Sequence, residues 1–412
     1  MQLSRFDING LFGLHDYSIP FPTTAEESAE PAVVILHGYN GVGKTTILKM
    51  IDGIMKLDYN AFRAVPFRDA TLFFNSGEYL KIAKLESRAL QVNFRGWEVE
   101  LHPDHGGPQE EDREDEVEAF RAAFTKAVQP ISFEFLSDAR SALEANEFDS
   151  KLSDYERIQR FGFDRPVRSS EKQILAAKVK EFLRNAQLDS KAFFRSGEPE
   201  LFDRIIEDLT QVGRGDMTAG GIRKQLLRVR EMEEMQIGFD LRIDKWDFER
   251  LDGLLQNSDP HTLSVIGTYA ELLLSRAESR QFVVDRLVTF EKVMLDFLHD
   301  KSVKITASKG LSIISDSGQL LREGQLSSGE YQLLYLMVAA LTTRRRGTVI
   351  AIDEPELSMH VEWQRKLVPS LIECASRANP QFFLATHSPD VAASYSDKLV
   401  VIGRGVPGAK KS

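Results

Sequence analysis

The stretch from Val33 to Met50, VVILHGYNGVGKTTILKM, constrains this chain more than any other. Four apolar residues, Val33 to Leu36, read as a short buried strand. A glycine-punctuated loop follows, and from Thr45 the composition is that of a helix start. Gly38, Gly43, Lys44 and Thr45 fit G-x-x-x-x-G-K-[ST], a loop that wraps a phosphate chain. Glycines let consecutive backbone N–H groups turn inward without a Cβ clash. Lys44 supplies a mobile point charge for β- and γ-phosphates, and the Thr45 hydroxyl can ligate Mg²⁺. The helix N-terminus behind the loop adds its partial positive charge. Asn40, Gly41 and Thr46 complete the set of candidate nucleotide-binding positions here. A strand, a loop and a helix in this order imply an α/β fold.

A 412-residue chain is long enough for two domains, or for one large domain carrying an insertion. No uninterrupted apolar run reaches membrane-spanning length, and MQLSRFDING lacks the basic-then-apolar plan of a secretory signal. The single cysteine, Cys374, excludes an internal disulfide and, lying in the helical pattern LIECASRA, reads as buried packing. The expected location is the cytoplasm, without a membrane partner. A formal charge of −10 argues against wholesale coating of DNA and gives no support to DNA as a partner, though a local basic groove stays open. The acidic run EEDREDEVE, residues 110–118, reads as a solvated loop entering a helix.

Before the loop, two edge strands are expected around Met1–Ile8 and Tyr17–Phe21. After its helix, at about residues 45–57, YLKIAKLESRALQVNFRGWEVELH alternates apolar and polar residues in three runs, as antiparallel strands do. Trp97 then belongs to a half-buried sheet surface, and HPDH, residues 102–105, is a Pro/Gly turn with no third metal ligand nearby. ISFEFL, residues 131–136, predicts another strand. From about 140 to 300 the apolar spacing is three and four. Val283, Leu287, Phe290, Met294 and Phe297 form one seam, fit for a short coiled coil or for packing on a sheet. GRGDMTAGGIRK, residues 213–224, predicts a hinge or tip of this helical insertion. SVKITASKGLSIISDSG, residues 302–318, predicts a hairpin returning the chain to the first domain. Val349–Ile352, Phe382–Ala385 and Leu399–Ile402 are expected as strands, the first two parallel and covered on both faces. The division is therefore 1–137 and 301–405 as two halves of one nucleotide-binding domain, 138–300 as a helical insertion, and 406–412 as a basic tail.

Three further segments bear on the phosphate site. Ser327-Ser328-Gly329-Glu330 opens a buried helix, YQLLYLMVAALTT, and so offers either a helix cap or an anion site. VIAIDEPE ends an apolar strand in Asp353 and Glu354. Placed next to the loop strand, Asp353 can hold Mg²⁺ and Glu354 can polarise an attacking water. FFLATHSPD ends a strand in Thr386, His387 and Ser388. A lone histidine is usually structural, but ligands of open α/β sheets collect at carboxyl strand ends. His387 is accordingly assigned to the γ-phosphate.

GYNGVGKTTIL, LSSGE, IDEPELSMHVEWQ and ATHSPD, in that order, resemble the motifs of an ATP-binding-cassette (ABC) ATPase. More narrowly, they are similar to the soluble SMC/RecF/OLD-like branch, the bacterial "AAA family" standalone ATPases, which includes ATPases of phage-defence systems of the PARIS and Septu types. The resemblance covers about residues 1–55 and 320–403. It implies an ABC-type P-loop fold with a mixed or parallel sheet, an antiparallel β subdomain and a large helical insertion. It further implies ATP and Mg²⁺ as cofactors, with Lys44 on the phosphates, Thr45 and Asp353 on the metal, Glu354 and His387 catalytic, and Ser327 and Gly329 contacting ATP on a second subunit. Two positions depart from the family pattern: Tyr39 stands where proline is usual, and Ser328 where the second signature glycine would be. The glutamine that normally follows the first strands is not identifiable; Gln91 and the turn around Arg140 are the candidates.

Among functions, a transporter subunit is excluded by the long interval from Lys44 to Ser327 and the absence of a membrane segment. The alternative, a RecF/SMC-like DNA-repair or recombination ATPase, is supported by the branch but gains nothing from the acidic balance, and the insertion lacks very long heptad arms. The favoured reading is an ATPase subunit of anti-phage defence that associates as a homodimer or larger homo-oligomer through an ATP sandwich and controls a separate effector. OLD-type relatives carry a TOPRIM nuclease after the ATPase, whereas this sequence ends soon after Ile402. A TOPRIM or other nuclease is therefore expected on another polypeptide, and no nuclease activity is expected here.

Overall fold

The computed structural model describes residues 2–21, 32–87, 89–101, 111–128, 131–137, 174–188, 218–241, 246–256, 259–344, 347–376, 378–393 and 395–403. The HPDH turn, the Arg140 turn and the basic tail lie outside them. Contacts divide the chain into two compact units, residues 1–168 with 327–412, and residues 169–326.

The first unit holds the phosphate loop. Strand β3 (Val33–His37) leads through it into helix α1 (Lys44–Lys56). Its parallel sheet has five strands in the order β14-β3-β13-β12-β8, with β8 at Phe133–Leu136, β12 at Val349–Asp353, β13 at Gln381–Thr386 and β14 at Leu399–Val401. These runs are apolar at successive positions because both faces are buried. Val349, Ala351, Phe383 and Ala385 face the core shared with α1, and the alternate residues Ile350, Ile352, Phe382 and Leu384 are buried on the other face. One expectation is corrected here: β12 is not next to the loop strand, because β13 lies between them. Strand adjacency is set by the crossover connections, which leave no local mark in the sequence.

A second sheet, antiparallel and six-stranded, runs β2-β1-β4-β5-β6-β7. β1 (Leu3–Leu11) and β2 (His15–Pro20) form a hairpin, but only β2 is an edge. The neighbour that makes β1 internal is β4 (Asp69–Phe74), whose run DATLFF has three successive buried residues and so lacks alternation. β5 (Tyr79–Lys84), β6 (Leu90–Phe94) and β7 (Trp97–Leu101) are the three expected alternating strands. Helix α2 (Asn60–Ala64) follows α1, and α3 (Glu111–Val128) buries Phe120 and Phe124 in the common core. Helix α8 (Ser328–Thr342) is buried along most of its length, and α9 (Val361–Cys374) buries Cys374.

The second unit is mainly helical: α4 over residues 174–188, α5 (Ala219–Gly238), α6 (Phe248–Leu255) and α7 (Pro260–Phe297). Ile222, Leu226 and Val229 of α5 pack with Ile266, Ala270 and Leu273 of α7. The seam Val283, Leu287, Phe290, Met294 and Phe297 is buried on the later turns of α7. Residues 219–224 are not a hinge, for Thr218 caps α5 by accepting from the Gly221 N–H (3.2 Å) and the two glycines sit in its first turn. The hairpin β9 (Lys301–Thr306) and β10 (Gly310–Ser315), with the short β11 (Leu320–Leu321), clusters with these helices rather than with the first unit. The Glu291 carboxylate on α7 ties it there, accepting from the Ile305 N–H (2.9 Å) and from Lys304 (2.8 Å). No helix among the described residues is long and apolar enough to cross a membrane.

Phe383 is fully buried at the centre of the parallel sheet, edge-on to Phe21 with ring centroids 4.8 Å apart. Phe383→Ala is expected to cost about 3–5 kcal/mol. Urea unfolding checks this, and a loss below about 1 kcal/mol would contradict so central a position.

Candidate functional site

The phosphate loop owes its shape to backbone constraints. Gly43 has φ +101°, and a Cβ there would run into Leu11, so only glycine suits the turn into α1. Asn40 and Gly41 form the exposed tip, and Thr46 is half-buried on α1. Lys44 is buried, its Nζ donating to the carbonyls of Gly38 (2.7 Å) and Tyr39 (3.1 Å). The ammonium is thus stored inside the loop that it would serve, while the Tyr39 ring projects into solvent.

The carboxyl ends of β3, β13 and β12 are level, with Thr386 opposite His37 and Asp353 opposite Ala385. This brings Asp353, Glu354 and His387 together with the loop. The Thr45 hydroxyl lies near enough to the Asp353 carboxylate to favour its charged form. Burial pushes the Asp353 carboxyl above its ordinary range; the nearby Thr45 hydroxyl opposes this, the Glu354 charge adds to it, and Lys49 and Lys44 oppose it. Its Oδ1 is buried without a hydrogen-bond partner among the described residues. A hydroxyl beside a desolvated carboxylate with a spare oxygen fits a hard divalent cation such as Mg²⁺.

Glu354 continues the sheet for one residue, its N–H donating to the Ala385 carbonyl (2.8 Å), and then turns at φ +48°. This left-handed conformation is costly for a non-glycine residue and typical of functional sites. It leaves the Glu354 carboxylate about a third exposed, 3.9 Å from His387 Nδ1.

Ser327 and Gly329 are placed differently. Ser327 is an exposed N-cap of α8 in a reciprocal capping box with Glu330, and its hydrogen bonds all stay within that helix. Gly329 is buried where a Cβ would strike the Ser358 carbonyl. Neither residue is hydrogen-bonded to the phosphate loop of its own chain. Gln91 lies on β6 of the antiparallel sheet, its amide donating to Glu98.

A family model described as "AAA domain, putative AbiEii toxin, Type IV TA system" matches residues 33–393. The chain belongs to this AAA-domain family. No curated protein matches it significantly. Among solved structures, it is similar to the Smc head domain with an extended coiled coil from Pyrococcus furiosus, bound to the C-terminal domain of ScpA. That likeness has 14% identity over 99% of this chain and 95% of the other, with a TM-score of 0.44. It is also similar to the SMC head domain of Thermotoga maritima, with 12% identity, coverage of 96% and 92%, and a TM-score of 0.37.

The AAA domain holds one further site residue that the motif reading passes over. Glu356, nearly fully buried, accepts from the Thr386 hydroxyl (2.6 Å) and from the N–H groups of His387 (3.0 Å) and Ser388 (3.1 Å). Its signal was the third acid of VIAIDEPE, masked by the two before it.

The raised Asp353 carboxyl has a consequence for stability. A folded-state pKa above the unfolded value leaves stability intact at low pH and lowers it as pH rises through the folded pKa. In metal-free buffer, Asp353→Asn is therefore expected to melt at or above the parent temperature at pH 8, with the difference shrinking as pH falls. Calorimetry across pH checks this; a variant less stable than the parent at pH 8 would contradict it.

Proposed function

We propose that this AAA-domain protein is an ABC-type ATPase whose nucleotide-driven association controls a separate effector. The observation that carries the reading is the gathering of Thr45, Asp353, Glu354 and His387 at three level strand ends. The loop N–H groups and Lys44 bind the phosphates of ATP. Thr45 and Asp353 would hold Mg²⁺, which would supply positive charge to offset what builds on the phosphates during transfer. Glu354, turned outward by its left-handed backbone, orients the attacking water and takes its proton. His387 steadies the γ-phosphate.

Ser327 and Gly329 act on a second copy. The hydrogen bonds of Ser327, which stay within its own helix among the described residues, support this, as does its exposure. ATP then joins two copies and hydrolysis releases them, so the helical unit has two states to report. A role in anti-phage defence draws support from the family description, which names a putative toxin and a type IV toxin–antitoxin system. The effector in this reading is a different protein, and a nuclease fits that place.

Two variants test the chemistry. Lys44→Ala is expected to abolish hydrolysis and to weaken nucleotide binding strongly. Glu354→Gln keeps the pocket's shape and is expected to retain ATP while hydrolysing it about 10²–10⁴-fold more slowly. Fluorescent-nucleotide titration with phosphate-release assays reads both, and equal loss of affinity in the two variants would contradict these roles.

A further inference from the structure

We propose that Glu356 is a positioning residue for ATP hydrolysis, holding His387 in one tautomer and one orientation; this rests on the ATPase reading above. A carboxylate as buried as Glu356 is costly unless hydrogen bonds compensate it. Here one oxygen, Oε1, collects the Thr386 hydroxyl and the His387 and Ser388 N–H groups, and it also lies 3.2 Å from His387 Nδ1. The other oxygen, Oε2, is buried and has no hydrogen-bond partner among the described residues.

A role confined to supporting the turn would explain the contacts to the main chain and to Thr386. It would not require the oxygen to face the imidazole. A carboxylate only accepts, so its approach to within 3.2 Å of Nδ1 favours the tautomer with the ring proton on that nitrogen. Nε2 is then left for the incoming phosphate, and when the ring carries a second proton Nε2–H donates to a γ-phosphate oxygen. Glu354, at 3.9 Å from Nδ1, is beyond hydrogen-bonding distance and more exposed, so it remains free for water.

The backbone around Glu356 is built to hold it there. The chain turns at Glu354 and again at Ser358 (φ +62°), with the Leu357 N–H donating to the Glu354 carbonyl (3.1 Å) and the Met359 N–H to that of Glu356 (3.0 Å). This tight turn returns the carboxylate beneath the end of β13. From the far side, the Ser388 hydroxyl donates to Gln364 (2.6 Å), whose amide donates to the Met359 carbonyl (3.0 Å). The histidine turn and the turn after Asp353 are thereby one braced unit.

The test is a double-mutant cycle of Glu356→Gln and His387→Ala, read as kcat, KM and nucleotide Kd. Glu356→Gln alone is expected to lower kcat about 10–100-fold with KM and Kd changed less than about twofold. In the His387→Ala background the same substitution is expected to change kcat by less than about twofold. Unchanged kcat in the single variant, or an equal further loss without His387, would overturn the proposal. A measurement on the parent protein covers the case in which Glu356→Gln fails to fold. Ring ¹⁵N spectra, with His387 assigned by its absence in His387→Ala, should show the proton on Nδ1, and a proton on Nε2 alone would overturn it. Parent hydrolysis lost in Glu354→Gln tests the ATPase reading separately, so the two failures are distinguishable.

Discussion

The parallel ladder β3–β13–β12 is the constraint on which the rest depends. Its backbone hydrogen bonds lie between two buried faces, where water cannot replace them, so the pairing is obligatory. Its register brings Ala385 level with both Leu36 and Asp353. A slip of one residue would exchange the two faces of a strand and expose Phe383 or Phe382 to the wrong layer. The same slip would carry Asp353 away from Thr45. Apolar packing therefore sets the geometry of the polar site, although no apolar residue takes part in its chemistry.

Much of this was legible in the sequence because it is local. The loop strand, its helix and the runs VIAID and QFFLAT are continuous apolar or glycine-punctuated segments, and each forms the expected element. What was not legible is tertiary. β13 separates β12 from β3, an order that no local pattern encodes. The 301–315 hairpin looks like any return to a sheet, yet the hydrogen bonds it donates to Glu291 hold it to the helical unit. β4 escaped notice because DATLFF is buried at successive positions and does not alternate. Glu356 was hidden for a related reason. Its three donors come from residues 386–388, so the third acid of VIAIDEPE gains its partners only in the folded chain.

The site also holds features that work against stability. Asp353 carries a carboxyl whose ionisation burial disfavours, and Glu354 occupies a backbone region that most residues avoid. Neither feature helps the fold. Both make sense where a cation and a water must be held, and the dense packing of α1, α8 and the parallel sheet offsets their cost. Ser327 shows the reverse case, since the capping box with Glu330 would justify it on structural grounds alone. Its assignment to a second copy thus turns on function in the assembled state.

The most direct measurement of that claim mixes two inactive proteins, Lys44→Ala and Ser327→Arg, and records ATPase rate across mixing ratios. A mixed dimer contains one composite site with an intact loop and an intact signature. If the site is shared between copies, activity rises from near zero to a maximum at intermediate ratios. A flat line at zero, with subunit exchange shown independently, would mean that Ser327 does no more than cap its own helix.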